Sequence, residues 1–264
     1  VRRSGDGPAR GGDPLRTGDG AKDDGRDAGP AAGGPVKSLA RTAWEWCRSV
    51  LIAFALFLVI RAFVVEAFKI PTASMENTLL VGDFLVVNKA VYGAGVPGTS
   101  LHFPAFAALE RGDVIVFTPP HDSGKNYVKR VVGTPGDVLE MRAKKLYLNH
   151  LAHDEPYVRH VDPRRDEFHP DMGWQADFLT DGRDPASYRP TRDNWGPIRV
   201  PEDSYFVLGD NRDNSEDSRY WGFVDRDSVR GRPWFVYYSF DPSSDEEAAW
   251  LKEVRWGRIG GLVR

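Results

Sequence analysis

A single cysteine, Cys47, stands among the 264 residues, so no intrachain disulfide can form. The chain therefore works in a reducing compartment, or it carries an exported domain large enough to need no staple. A dominant charge is missing too. The formal net charge is −3, which removes the whole-protein case for a nucleic-acid partner. No unbroken apolar run reaches the roughly 20 residues that cross a bilayer; the longest, residues 50–60, has eleven. Amphipathic helical stretches of any length are lacking between the strand-like segments, which argues against βαβ units. There is no internal repeat.

What is present divides the chain in three. Residues 1–36 alternate Gly, Asp, Arg and Pro with almost no large apolar side chain. Such a segment buries too little surface to offset its ordering entropy, and disorder is expected there. Residues 43–65 form an apolar window. Trp44 and Trp46 precede its run as interfacial anchors, and Arg48 and Arg61 can snorkel toward headgroups. A core helix or a signal-peptide core would also read this way, but the long polar tail in front argues against the latter. A membrane anchor is the expectation. Lys37, Arg41 and Arg48 on its N-terminal side face only Glu45, which places the N-terminus in the cytoplasm.

From residue 66 onward the pattern is β-rich. Segments 84–93, 112–120, 127–137, 145–150, 204–210 and 232–240 are rich in Val, Phe and Tyr, and Gly, Pro and Asp punctuate them. A mostly β, antiparallel domain is expected. Residues 151–198 differ: polar, rich in Pro and Asp, with His153, His160 and His169, they read as an insertion or cap.

In "IPTASMENTLL", residues 70–80, Ser74 is either a nucleophile or a helix cap. A serine hydroxyl needs a base to take its proton. The six histidines all lie between His102 and His169 and none has a strand-like context; the elbow G-x-S-x-G is also absent around Ser74. Lys129, in "NYVKRVVG", can serve if burial keeps it neutral. In a strand it shares a face with Tyr127 and Val131. The bland alternative is an edge-strand lysine in water. A third segment, "GDNRDNSEDSRYWGFV", residues 209–224, packs Asp, Asn, Ser and Arg into one loop after an apolar strand. It fails as a calcium loop: counted from Asp210 it puts Arg212 at the third position, and counted from Asp213 it puts Ser218 where Gly is needed and Val224 where Glu is needed. Asp217 and Arg219 are ion-pair candidates. His150 and His153, in an Asp-rich stretch, read as solvated surface rather than a metal site.

Four of these segments, "PTASM", "RGDVIVF", "YVKRVVGTPGD" and "GDNRDNSEDSRYWGFV", in this order behind an apolar segment, resemble the bacterial type I signal peptidases. The last is the most specific, and the tail "VRWGRIGGLV" resembles the family's C-terminal end. The resemblance covers roughly residues 43–150 and 195–260. It implies an antiparallel β catalytic domain of the signal peptidase/LexA type, with a smaller inserted cap and one preceding transmembrane helix. It also implies a Ser-Lys dyad. Ser74 matches the nucleophile and Lys129 the general base. Ser215 matches the serine that orients the lysine amine. Thr72, where relatives often carry Ser, matches the hydroxyl that completes the oxyanion hole with the Ser74 N–H. Ala73 fills a position that must stay small, Met75 shapes the site, and Asp217 and Arg219 match a supporting salt bridge.

The activity so implied is removal of N-terminal signal peptides by a cut after a small-x-small site such as Ala-x-Ala. The partners are preproteins delivered by the export machinery, and the lipid bilayer. No metal or cofactor is required. The enzyme is single-pass in the cell membrane with its catalytic domain, residues 66–264, on the extracytoplasmic side. Substrate is expected to lie extended beside residues 70–74 and 126–129. A LexA-like self-cleaving regulator shares the dyad, but it needs an N-terminal DNA-binding domain where this chain has a polar tail and an apolar window. A membrane-anchored binding domain without chemistry gives no reason for Ser74, Lys129 and Ser215 to occur together.

Overall fold

The computed structural model describes residues 35–93, 104–163 and 167–264. The disorder expected for residues 1–36 falls outside the described residues except at Pro35 and Val36, and so does His102.

Helix α1, Pro35–Phe63, carries the apolar window. Its segment Arg41–Arg61, 21 residues, is long and apolar enough to cross a membrane, and none of it is buried. At about 1.5 Å per residue it matches a hydrocarbon layer of roughly 30 Å. Leu51, Phe54, Leu56 and Phe57 are all exposed. A long apolar helix whose large side chains stand exposed suits lipid. The helix stops at Phe63, short of the expected end of the window. Val64 and Val65 are β-branched and favour extended backbone, and the Lys89 N–H already donates to the Val64 carbonyl at 2.9 Å.

Eleven strands follow among the described residues: β1 Val65–Lys69, β2 Asp83–Asn88, β3 Val114–Phe117, β4 Tyr127–Gly133, β5 Val138–Arg142, β6 Lys145–Leu148, β7 Leu151–Ala152, β8 Trp195–Arg199, β9 Ser204–Leu208, β10 Val224–Asp225 and β11 Val229–Ser239. They form a seven-stranded sheet in the order β1-β2-β11-β3-β4-β9-β10 and a four-stranded sheet in the order β7-β6-β5-β8. All the strand pairs are antiparallel, as the run of short strands without long helices implies.

Local turn chemistry sets the second sheet. Ala143 and Lys144, at φ 47° and 69°, close the β5–β6 hairpin, and Asn149 and His150, at φ 48° and 69°, close β6–β7. Two-residue turns of this hand match the twist of the strands they join. Nothing in Ala-Lys announces a left-handed turn. Contacts from far along the chain hold it: the Ala143 N–H donates to Asn194 Oδ1 at 2.9 Å, and the Lys144 N–H donates to the Asp193 carbonyl at 3.1 Å.

The described residues of 151–198 include regular structure that reaches into the core. A 3₁₀ helix, Pro170–Phe178, buries Met172 and Gln175 completely. Met172 joins Leu139, Leu146, Trp195, Ile198 and Phe206 in one apolar core. The end of the segment is strand β8, which pairs with β5 as the outer strand of the four-stranded sheet. A second core, including Ile70, Met75, Leu79, Leu85, Val114 and Val236, lies around the turn after β1.

Candidate active site

Ser74 lies on a 3₁₀ turn, Ala73–Met75, in the link from β1 to β2. The turn is fastened before and after the serine. Ile70 pairs with the strand beyond, its N–H donating to the Asp83 carbonyl at 2.8 Å. Ile70, Met75 and Leu79 then sink into the core, at 4%, 1% and 0% exposure. Ser74 between them cannot follow the chain into solvent and is itself buried.

Lys129 lies on β4, between β3 and β9, with Ile115 opposite it on β3. It is 4% exposed, so the reading of an edge-strand lysine in water fails. Its Nζ is 2.6 Å from Ser74 Oγ. Burial pushes the amine down from its ordinary 10.5 to about 8. Asp217 pulls it back up, and Arg219 pushes with the burial. A lysine in this state is neutral often enough near physiological pH to accept a proton.

The loop after β9 closes the third side. Asp217 and Arg219 are fully buried and meet in a two-point pair, Nε to Oδ1 at 2.8 Å and Nη2 to Oδ2 at 2.9 Å. Burial alone would raise the Asp217 carboxyl, but the guanidinium outweighs it and holds the acid below its ordinary value. Arg219 also donates to the carbonyls of Arg212 at 2.7 Å and Ser215 at 3.3 Å, so the pair fixes the loop that carries Ser215. Gly209 lies where this loop passes close to Ser74. A Cβ there would lie 2.2 Å from Ser215 Oγ and 2.5 Å from the Ser74 carbonyl oxygen, so no larger residue fits.

The structure thus brings Ser74, Lys129, Ser215 and Thr72 to one cleft of about 520 Å³. Thr72 is extended and exposed on its wall. Ser215 Oγ is buried but has no hydrogen-bond partner, so the bond from Ser215 to the Lys129 amine is not formed. The cleft also exposes strand edges. On β4, residues 127–129 pair only with β3, because β9 joins from Arg130 onward. β1 is the outer strand of its sheet. Among the described residues, no group of three His, Cys, Asp or Glu is placed to hold a metal ion.

Several supporting residues escaped the sequence reading. Arg130 is 3% exposed and grips Asp210 at two points, 2.9 and 2.8 Å, while Asp210 also takes the Thr78 hydroxyl. Asn211 clamps the Ser74 turn: its N–H donates to the Ser74 carbonyl at 3.0 Å and its side chain to the Ala73 carbonyl at 3.3 Å. The signal was available in part. Arg130 adjoins Lys129, and Asp210 and Asn211 open the polar loop, but nothing along the chain says that the two segments meet.

The profile of the family "Signal peptidase, peptidase S26" matches residues 43–238. A signal peptidase I of Pseudomonas aeruginosa is 37% identical over 217 residues, covering 75% of this chain and 74% of its own. One from Pseudomonas fluorescens is 36% identical over 211 residues, 74% of this chain and 72% of its own. One from Bacillus amyloliquefaciens is 33% identical over 213 residues, 80% of this chain and 93% of its own. With the profile spanning most of the chain and relatives of this likeness aligned over most of their length, the chain belongs to the signal peptidase family, peptidase S26.

Proposed function

We propose that this chain is a membrane-anchored serine endopeptidase that removes signal peptides from exported preproteins, with Ser74 as nucleophile and Lys129 as general base. The observation that carries the reading is the 2.6 Å approach of a buried lysine, its amine lowered to about 8, to a serine on a rigid turn. Neutral Lys129 takes the hydroxyl proton as Ser74 Oγ adds to the scissile carbonyl. The ammonium then gives that proton to the leaving amine, and an acyl-enzyme remains. Water, deprotonated by the same lysine, releases the acid product and restores the serine. The Ser74 N–H and the Thr72 hydroxyl meet the developing oxyanion, a contribution of roughly 3 kcal/mol per donor. The unpartnered Ser215 hydroxyl supplies an acceptor that orients the amine once Ser74 has turned to substrate. Asp217 and Arg219 support the loop from behind. None of these steps calls for a metal or cofactor.

The substrate lies extended between β1 and the free edge of residues 127–129, adding main-chain hydrogen bonds there. Shallow walls around Ser74 select small side chains, hence a cut after Ala-x-Ala. Helix α1 crosses the membrane once, with the N-terminus cytoplasmic and residues 66–264 outside, where the export machinery delivers preproteins. Few residues separate Ser74 from the end of the helix, which holds the nucleophile near the bilayer surface where a signal peptide's cleavage site emerges.

The test is a digest of a preprotein carrying an Ala-x-Ala site by the detergent-solubilised protein and by Ser74→Ala, read by mass spectrometry. A single cut after the second Ala, absent with the variant, supports reaction and nucleophile together. No cut by either folded protein leaves a membrane-anchored binding domain as the reading.

A further inference from the structure

The mechanism leaves residues 155–162 without a role, yet this short stretch is stitched to both halves of the dyad's support. Glu155 forms a buried pair with Arg212, Oε2 to Nη1 at 2.9 Å. The Tyr157 ring covers the guanidinium of Arg130, with Cζ 3.9 Å from its centroid. The Tyr157 carbonyl accepts from the Asn77 side chain at 3.0 Å. Arg159 pairs with Glu76 at 2.9 Å, and its backbone bridges the polar loop, N–H to the Asp210 carbonyl at 2.8 Å and carbonyl from the Arg212 N–H at 3.0 Å.

Glu76 and Asn77 follow the nucleophile by two and three residues. Arg130 follows the lysine by one. Asn77 also sits at φ 100°, in a region that a residue with a side chain adopts only when its surroundings hold it there. A solvated surface loop accounts for none of this.

We infer that residues 155–162 are a positioning strap, which holds the Glu76–Asn77 turn and Arg130 in fixed relation and so keeps Ser74 and Lys129 at reacting distance. The inference rests on the proposed roles of those two residues. None of residues 155–162 lines the cleft, so the strap acts on the chemical step and not on substrate binding. Burial holds the Tyr157 phenol protonated well above its ordinary range, so its cover over Arg130 is constant with pH.

The experiment compares the full chain with Tyr157→Phe and Tyr157→Ala in steady-state cleavage of a peptide spanning an Ala-x-Ala junction. Tyr157→Ala is expected to lower kcat about tenfold with KM within about twofold, and Tyr157→Phe, which keeps the ring, to stay within about twofold of wild type. A wild-type kcat in Tyr157→Ala overturns the strap, as does an equal loss in Tyr157→Phe. If Tyr157→Ala does not fold, Arg159→Met takes its place, with about a threefold loss of kcat expected and an unchanged kcat overturning the inference. If wild type itself does not cleave, the dyad reading fails. Amide exchange across residues 75–79 then still reads the strap: faster exchange in Tyr157→Ala but not in Tyr157→Phe supports it, and unchanged exchange overturns it.

Discussion

In helix α1 the large apolar side chains stand exposed, Leu51 at 64% and Phe57 at 57%, while in the sheet Lys129, Arg130 and Arg219 are buried at 4%, 3% and 1%. Each region breaks the ordinary rule for a protein in water. The helix has the length and composition of a membrane span, and in lipid exposed Leu and Phe carry no penalty. The sheet breaks it at a cost, since each buried charge needs a partner or a shifted pKa. Arg130 and Arg219 have carboxylate partners, Asp210 and Asp217. Lys129 has none so close. Its contact is a neutral hydroxyl, and its proton affinity falls. A buried charge without a carboxylate among paired ones is what the proposed general base requires.

The largest expected break in this contrast is Lys129→Met. Cleavage should fall by about a thousandfold or more, while the fold gains stability. The lysine binds fewer protons folded than unfolded between about 8 and 10.5, so wild-type stability rises with pH across that window and carries the full penalty below it. Melting of both proteins at pH 7 should therefore favour the variant, and a lower Tm for Lys129→Met would contradict the burial argument. The same amine sets the rate: wild-type kcat/KM should climb with pH and level off above about 8.

Next is Asp217→Ala, which strands Arg219 as a buried charge and should cost about 3–5 kcal/mol in denaturant unfolding. A loss below about 1 kcal/mol would mean that water reaches Arg219. Ser215→Ala is smaller. It removes a hydroxyl without an intramolecular partner, so stability should hold while kcat falls about tenfold through a misaligned amine. Equal loss of stability and rate would make Ser215 a packing residue. The smallest effect sharpens the comparison from its other side. Phe57→Ala should leave unfolding of the β domain within about 0.5 kcal/mol, whereas the same change at fully buried Phe206 should cost about 3–5 kcal/mol.

The six strand-like segments of the sequence all contain strands, because Val, Phe and Tyr runs bounded by Gly and Pro encode them locally. β1 was hidden: its "VEAFK" adjoins the apolar window and carries two charged residues, Glu66 and Lys69, in five. β8 was hidden in the opposite sense, since "WGPIR" closes a polar segment and carries a Pro. The residues 170–178 helix was invisible because its burial of Met172 and Gln175 depends on a core assembled by other strands.

Ser74, Lys129 and the polar loop could be singled out from residue type, neighbours and resemblance alone, and so could an apolar window suited to a bilayer. Those properties are local, set by side-chain chemistry within a few positions. That Lys129 is buried and 2.6 Å from Ser74, that Ser215 faces the same cleft, and that Arg130 reaches across to Asp210 belong to the tertiary structure. The Ser74–Lys129 contact joins positions 55 residues apart, and the Arg130–Asp210 pair joins positions 80 apart. Only strand register and core packing bring such groups together, and the resulting loss of water is what lowers the Lys129 amine.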